Sequence, residues 1–301
     1  MELASKEIEL IIKLALKLKK RPKPLLKNKV LAMLFQKPST RTRMSFEVAM
    51  LELGGHAVNL PMSDLQLARG ETVEDTARTL SVYADAIGAR VNDHRDIVRL
   101  ANAASVPVIN MLSDMYHPCQ VLGDLLTIKE LKGKVKGLKL AWIGDGNNVC
   151  NSLIAGCTMM GMNVTVACPS GYEPYVKAVD FSKKEAARNK CIFEIISDPK
   201  QAVKNADIVY TDAFVSMGKE AEKDSRLKTF LPNYQVNTEL MKLAKSNAIF
   251  MHCLPAKRGE EVTDDVIDGR QSVVWQQAEN RLHAQKALLC FLLLKNLKGL
   301  D

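Results

Sequence analysis

Val30-Leu31-Ala32-Met33-Leu34-Phe35 leads without a break into Gln36-Lys37-Pro38-Ser39-Thr40-Arg41-Thr42-Arg43. The first six residues are apolar and follow polar punctuation, so they read as a buried strand. The next eight read as a turn into a helix: Pro38 biases Lys37 away from helical angles, and Ser39 is a good N-cap. From Met44 to Leu53 apolar residues recur at helical spacing. A helix N-terminus offers free N–H groups and a positive dipole end, so it attracts anions. Arg41 adds a planar fork that matches phosphate oxygens. The plainer reading is a capped, solvated helix start in which Arg43 pairs with Glu47 one turn later.

Working outward, strand and helix alternate. Lys6 to Lys20 reads as a helix, Ala57 to Leu60 as a strand, Thr72 to Ala84 as a helix and Ala86 to Val91 as a strand. Ile97 to Ala104 reads as a helix, Val106 to Asn110 as a strand, and Pro118 to Leu131 as a long helix. Lys132-Gly133-Lys134 is a polar joint. A second series follows: strand Leu140 to Ile143, helix Val149 to Met160, and strands Asn163 to Ala167, Ile192 to Ile196, Ile208 to Thr211, Ile249 to His252 and Ser272 to Val274. An amphipathic helix is expected over Ala278 to Leu297. This alternation implies parallel pairing with covering helices. The expected fold is α/β, two doubly wound parallel-sheet domains of similar size joined near Lys132 to Lys139. The expected boundaries are 1–132, 133–275 and a C-terminal helix, 276–301, that returns to the first domain.

The size, 301 residues, is long for one core and comfortable for two. A hydrophobic fraction of 47% and a charged fraction of 25% describe an ordinary globular chain. No apolar run approaches the roughly 18 residues that span a membrane, and Lys6 to Lys20, interrupted by Lys13 and Lys17, does not read as a secretory signal. A cytoplasmic location with no membrane partner is expected. The net charge of +8 suits anionic small substrates through steering. Nucleic acid is not expected, because aromatics are only 5% and bases are mixed with acids except over Lys17 to Lys29, which reads as a solvated helix end and linker. Seven scattered cysteines with no Cys-x-x-Cys pair argue against a disulfide framework or a structural zinc site. Trp142 and Trp275 read as core or edge residues.

In open parallel sheets ligands bind outside the carboxyl ends of the strands. The unusual residues gather there: the Ser39 run, Arg90, His117-Pro118-Cys119-Gln120, Asn147-Asn148, Asp212 with Ser216-Met217-Gly218, His252-Cys253-Leu254-Pro255, and Gln277 to Arg281. Gly144-Asp145-Gly146-Asn147-Asn148 has half the look of a dinucleotide loop but lacks its third glycine in place. His117, His252 and Cys253 have no metal-ligand spacing, so neither metal nor cofactor is expected. His252 reads as a support for the turn at Pro255.

The chain resembles the carbamoyltransferases, most closely the ornithine carbamoyltransferases. The matching elements are Ser39-Thr40-Arg41-Thr42-Arg43, His117-Pro118-Cys119-Gln120, Asp212-Ala213-Phe214-Val215-Ser216-Met217-Gly218 and His252-Cys253-Leu254-Pro255. The last two set ornithine enzymes apart from aspartate enzymes. The resemblance implies that carbamoyl phosphate and ornithine give citrulline and phosphate, a step of arginine biosynthesis. It implies that Ser39, Thr40, Arg41 and Thr42 hold the phosphate, that Arg90 bridges phosphate and carbonyl oxygens, and that His117 donates to the carbonyl oxygen. Gln120 accepts from the carbamoyl NH2, Arg281 closes the far side, Leu254 offers its backbone carbonyl, and Cys253 positions the attacking amine. Asn148, Asp212, Ser216 and the Met217 backbone would hold ornithine, with a lid at Ser216 to Gly218. Gln66 resembles a residue lent to a neighbouring subunit's phosphate site, which implies a homotrimer and leaves further assembly of trimers open. On this reading 1–132 binds carbamoyl phosphate and 133–275 binds ornithine. The alternatives are another amine acceptor, such as N-acetylornithine or putrescine, and a non-catalytic binding paralogue.

Overall fold

A computed structural model describes residues 3–216 and 218–294 of the chain. It divides into two compact units, one of Glu2–Leu126 with Glu279–Asp301 and one of Thr127–Ala278. In chain order the first carries α1 (Ser5–Lys20), β1 (Val30–Phe35), α2 (Thr40–Glu52), β2 (His56–Pro61), α3 (Val73–Tyr83), β3 (Ala86–Arg90), α4 (His94–Ala103) and β4 (Val108–Leu112). The chain passes onward within α5 (Pro118–Lys132).

The four strands form one parallel sheet in the order β2-β1-β3-β4. β1 is central, and its apolar run from Leu31 to Phe35 is buried throughout, the sequence signature of a strand covered on both faces. One face packs Leu34 and Ala89 against Leu65, Val73, Ala77, Ile97 and Leu100. Helix α1 buries Ile8, Ile11, Ile12, Ala15 and Leu18, a stripe at helical spacing. Lys19, at the end of α1, is tied to Glu279 (3.0 Å) and Asn280 (2.8 Å), so the basic stretch read as solvated is partly anchored there.

The second unit carries β5 (Lys139–Ile143), α6 (Asn148–Met159), β6 (Asn163–Ala167), α7 (Val176–Asn189), β7 (Phe193–Ile196), α8 (Pro199–Val203), β8 (Ile208–Thr211), α9 (Lys223–Phe230), α10 (Thr238–Met241), β9 (Ile249–His252) and α11 (Asp264–Ile267). Its sheet is parallel, in the order β7-β6-β5-β8-β9. Trp142 and Tyr210 stack at its centre, 5.3 Å between ring centroids. The last helix, α12 (Val274–Leu293), begins in the second unit and from Glu279 onward belongs to the first. There Lys286, 1% exposed, reaches Glu52 Oε2 at 2.5 Å, tying α12 to the end of α2.

The expected helices and strands recur with shifts of a few residues at their ends. One element differs. The run Ser272 to Val274 does not form a strand: Phe250 N donates to Gln271 O and Val273 N to Phe250 O, a single bridge, after which Val274 opens α12. Its apolar β-branched residues mimic a strand, but the helix takes over after two ladder bonds, four residues before the expected Ala278. The expected end of that helix, Leu297, lies outside the described residues. Trp142 is buried, whereas Trp275 is 68% exposed and belongs to no core. All seven cysteines are thiols, five of them buried.

Candidate active site

Each sheet reverses its strand order at one place, and a ligand crevice opens at such a switch point. In the first sheet it lies between β1 and β3, where Phe35 is paired with Arg90. Gln36 fastens the turn after β1 to the end of β3. Its backbone N donates to Arg90 O (2.9 Å), its Oε1 accepts from Asn92 N (2.7 Å), and its Nε2 donates to Asp96 Oδ2 (3.1 Å). Ser39 then caps α2, its hydroxyl accepting from Thr42 N at 3.3 Å. No acidic residue occupies the first turn of α2, so its positive end stays available to an anion. Arg43 is spent on Glu47, 2.8 Å away. Thr40 and Arg41 are exposed, and Thr42 is fully buried.

Behind this turn lie buried polar side chains from β3, α5 and α12. Arg90 is 4% and Arg281 5% exposed. Arg281 Nη1 donates to Gln120 Oε1 (3.0 Å) and Nη2 to Thr42 Oγ1 (3.3 Å). Gly123 makes that reach possible, since a Cβ there would sit 3.0 Å from Arg281 Cγ. Gln120 donates its Nε2–H to buried Asp124 Oδ1 (2.8 Å), which turns its oxygen toward Arg281. His117 directly precedes Pro118, the first residue of α5, where proline forfeits no helical hydrogen bond. Burial first, then the charges of Arg281 and Arg90, push the His117 imidazolium well below its ordinary range. A neutral, buried imidazole beside two guanidinium groups is a hydrogen-bond donor rather than a cation at neutral pH. Cys119, buried and donating to Asn110 O at 3.4 Å, is pushed up to about 12 by burial and stays a thiol. Gln66 is exposed at the start of a 3-10 turn, Gln66–Arg69, anchored by Leu65 in the core. Its side chain makes no hydrogen bond among the described residues.

In the second sheet the order reverses between β5 and β8, where Ile143 pairs with Thr211. Asp212 follows β8. Its Oδ1 accepts from Ala213 N (2.8 Å) and from the Cys253 thiol (3.1 Å), and its Oδ2 from Asn147 Nδ2 (2.7 Å). Asn148 is the first residue of α6 and is half-buried, as is Ser216. Met217 lies outside the described residues. Gly146 is dictated by space: a Cβ would meet Pro174 N at 2.2 Å. The glycine of this turn thus admits the chain's own backbone, not a pyrophosphate.

Beyond Thr211, Arg226 holds the following loop. Its Nε donates to Phe214 O (2.6 Å), it pairs with Asp145, and it lies 4.9 Å over the Tyr172 ring. Burial pushes the Asp145 carboxyl up to about 6 against the opposing pull of Arg226. His252 is buried, and its Nδ1 accepts from Leu254 N (2.9 Å). A backbone N–H only donates, so the ring proton sits on Nε2, which faces buried Glu261 Oε1 at 3.1 Å. The same oxygen accepts from Lys257 N (2.6 Å). His252 and Glu261 together pin the segment from Cys253 to Lys257, with Leu254 at φ 58°. Asp212, His252 and Cys253 bring ligand atoms within 4.8 Å of one another. Both nitrogens of His252 are nevertheless engaged, which leaves it no lone pair for a cation.

The structure thus joins Thr42, Gln120 and Arg281 by hydrogen bonds, and Asp212 with Cys253. Sequence reading gave no role of their own to Asn147, Glu261, Asp124, Gln36 and Arg226; Asn147 meets Asp212, Gln36 meets Asp96 and Arg226 meets Asp145 from 65, 60 and 81 residues away.

Two open parallel sheets, each with polar side chains gathered at its switch point, define an α/β enzyme of two ligand-binding domains. Residues 1–130 match the family described as aspartate/ornithine carbamoyltransferase, carbamoyl-P binding domain, and residues 136–292 match its Asp/Orn binding domain. The chain belongs to the aspartate/ornithine carbamoyltransferase family, and it is a transferase. It is 60% identical over 273 residues to an ornithine carbamoyltransferase of Pyrococcus horikoshii, covering 91% of this chain and 86% of that one. It is 54% identical over 293 residues to that of Methanosarcina mazei, covering 96% and 95%. Among solved structures, ornithine carbamoyltransferase from Pyrococcus furiosus superposes with a TM-score of 0.95 at 55% identity, covering 98% of this chain and 96% of that one.

Proposed function

We propose that this protein is an ornithine carbamoyltransferase, transferring the carbamoyl group of carbamoyl phosphate to the side-chain amine of L-ornithine. The products are L-citrulline and phosphate, and the step serves arginine biosynthesis in the cytoplasm. The observation that carries this reading is the burial of Arg90, Arg281 and neutral His117 at one switch point. Buried cations are costly alone and favourable opposite a small dianion.

Ser39, Thr40, Arg41 and Thr42 hold the phosphate through hydroxyls, helix N–H groups and the guanidinium. Arg90 bridges the phosphate and carbonyl oxygens. His117 donates to the carbonyl oxygen and stabilises the charge that grows there in the tetrahedral transition state. Gln120 and the Leu254 carbonyl accept from the carbamoyl NH2, and Arg281 braces Gln120 and Thr42. Asp212 accepts the ornithine α-ammonium, Asn148, Ser216 and the Met217 backbone take its other polar groups, and Cys253 sets the side-chain amine. That amine ionises near about 10.4 in water and must lose a proton before it attacks. It gives the first proton to solvent; its nitrogen then bonds to the carbonyl carbon, the carbon–oxygen bond to phosphate breaks, and the leaving phosphate takes the second proton that the nitrogen sheds. Proximity and preorganised charge supply the rate.

The domains on this reading are 1–132 for carbamoyl phosphate and 133–275 for ornithine, with 276–301 returning to the first. A homotrimer is the assembly, and Met44 and Leu51 on α2 and Val58 on the edge strand β2, 53%, 72% and 47% exposed, are apolar side chains that a second copy would cover. Exposed Gln66 is the residue lent to the neighbouring phosphate site. A colorimetric citrulline assay with ornithine, N-acetylornithine, putrescine and aspartate as acceptors tests the reading. Turnover with ornithine alone supports it, and preference for another amine, or no turnover, rejects it.

A further inference from the structure

Asn147 is the N-cap of α6, and an N-cap needs only an oxygen. Its Oδ1 meets that need by accepting from Val149 N (3.0 Å) and Cys150 N (3.1 Å). Two donors on that oxygen fix which end of the amide is which, so Nδ2 must face the other way. It faces Asp212, donating to Oδ2 at 2.7 Å. The opposite oxygen of Asp212 is held by Ala213 N and the Cys253 thiol. The carboxylate is therefore gripped on both oxygens, and Asn147 is the grip on the side of β5. Nor is Asn147 loose: the preceding Gly146 donates its N–H to Tyr172 O (2.8 Å) and has no room for a Cβ against Pro174.

We propose that Asn147 is a positioning residue for the acceptor substrate: α6 clamps its amide, and the amide sets the carboxylate of Asp212 that receives the ornithine ammonium. The inference rests on the role of Asp212 given above and extends it to the N-cap residue of α6. It assigns adjacent asparagines separate tasks, Asn148 toward the substrate and Asn147 toward the group that binds it.

Capping and positioning separate cleanly by substitution. Aspartate and serine cap a helix about as well as asparagine. Asn147→Asp keeps the cap but sets a second carboxylate against Asp212. Asn147→Ser keeps the cap and removes the donor without adding charge. Each variant is assayed for citrulline with either substrate varied. Each is also titrated calorimetrically, at saturating carbamoyl phosphate, with L-norvaline, which carries the α-groups of ornithine and no nucleophile. The expected result is a rise of about tenfold or more in ornithine KM and norvaline Kd for Asn147→Asp, and a smaller rise for Asn147→Ser. The KM for carbamoyl phosphate stays at its wild-type value in both variants, and the melting temperature stays at its wild-type value in Asn147→Ser, which adds no charge. Unchanged ornithine KM in both variants, or a parallel rise in both substrates' KM with a fall in melting temperature, reduces Asn147 to a cap and overturns the inference. A wild type that makes no citrulline from ornithine overturns the functional reading as well, so the two failures are distinguishable.

Discussion

The two switch points solve opposite electrostatic problems with different materials. The first gathers cations, Arg90 and Arg281, on β3 and α12, and buries them almost completely. The second gathers a carboxylate, Asp212, in a loop, leaves it half-buried and fixes it with three donors. A dianion is strongly hydrated, so its seat must be desolvated and stiff beforehand if charge is to be worth more than in water. On the proposed reading an amino acid with a long cationic arm must enter and leave the second seat, which suits a carboxylate carried on a loop, where opening costs less. The contrast predicts that damage to the first seat removes chemistry and damage to the second removes acceptor affinity.

The harshest way to break that contrast is Arg90→Leu. A fall in kcat/KM of about a thousandfold or more is expected, seen for both substrates because the donor is no longer held. Steady-state kinetics check it, and near-normal turnover would dissolve the first seat. His117→Asn should cost about a hundredfold in kcat with a much smaller change in the KM for carbamoyl phosphate, because its bond strengthens as charge moves onto the carbonyl oxygen. Cys253→Ser should raise ornithine KM about tenfold and leave carbamoyl phosphate binding alone. A larger loss on the donor side would place Cys253 in the wrong half.

Proton linkage sharpens the same contrast with a smaller effect. His117 is held neutral in the folded state, so below about pH 6.5 the unfolded chain binds a proton that the folded chain refuses. Its contribution therefore lowers stability as pH falls through that range. Asp145 is raised from 3.8 to about 6, so between those values the folded chain binds the extra proton. Its contribution lowers stability as pH rises through that window. Denaturant unfolding of His117→Asn and Asp145→Asn against wild type, from about pH 4 to 7, should give differences of opposite slope. The smallest effect belongs to the pair that ties α2 to α12. Replacing it with Glu52→Leu and Lys286→Met together should leave activity unchanged and shift stability by about 1 kcal/mol or less, since the carboxylate end of the pair is exposed and solvent-screened ion pairs contribute little.

How far the chain could be read in advance follows the same physical divide. The strand at Val30–Phe35, the cap at Ser39 and the helix beginning at Pro118 were legible because local chemistry alone sets them. So were the places of Arg90 at the end of β3 and of Asp212 just after β8, because the carboxyl ends of parallel strands are where ligand-facing side chains collect. Local sequence gives Asn147 and Glu261 no partner; only tertiary contacts set them against Asp212 and His252. Arg226 is 81 residues from Asp145, and no periodicity announces such a pair. The strand expected over Ser272 to Val274 failed for the converse reason. Its β-branched run is locally persuasive, but a helix that extends into the first unit begins inside it.

The division of labour between the two seats is tested most directly by calorimetric titration of carbamoyl phosphate, without ornithine, into wild type, Arg281→Met and Asp212→Asn. Asp212→Asn should bind the donor as tightly as wild type, while Arg281→Met loses about tenfold or more, the scale of a charge-assisted hydrogen bond pair. Donor binding that survives in Arg281→Met and collapses in Asp212→Asn would contradict the account.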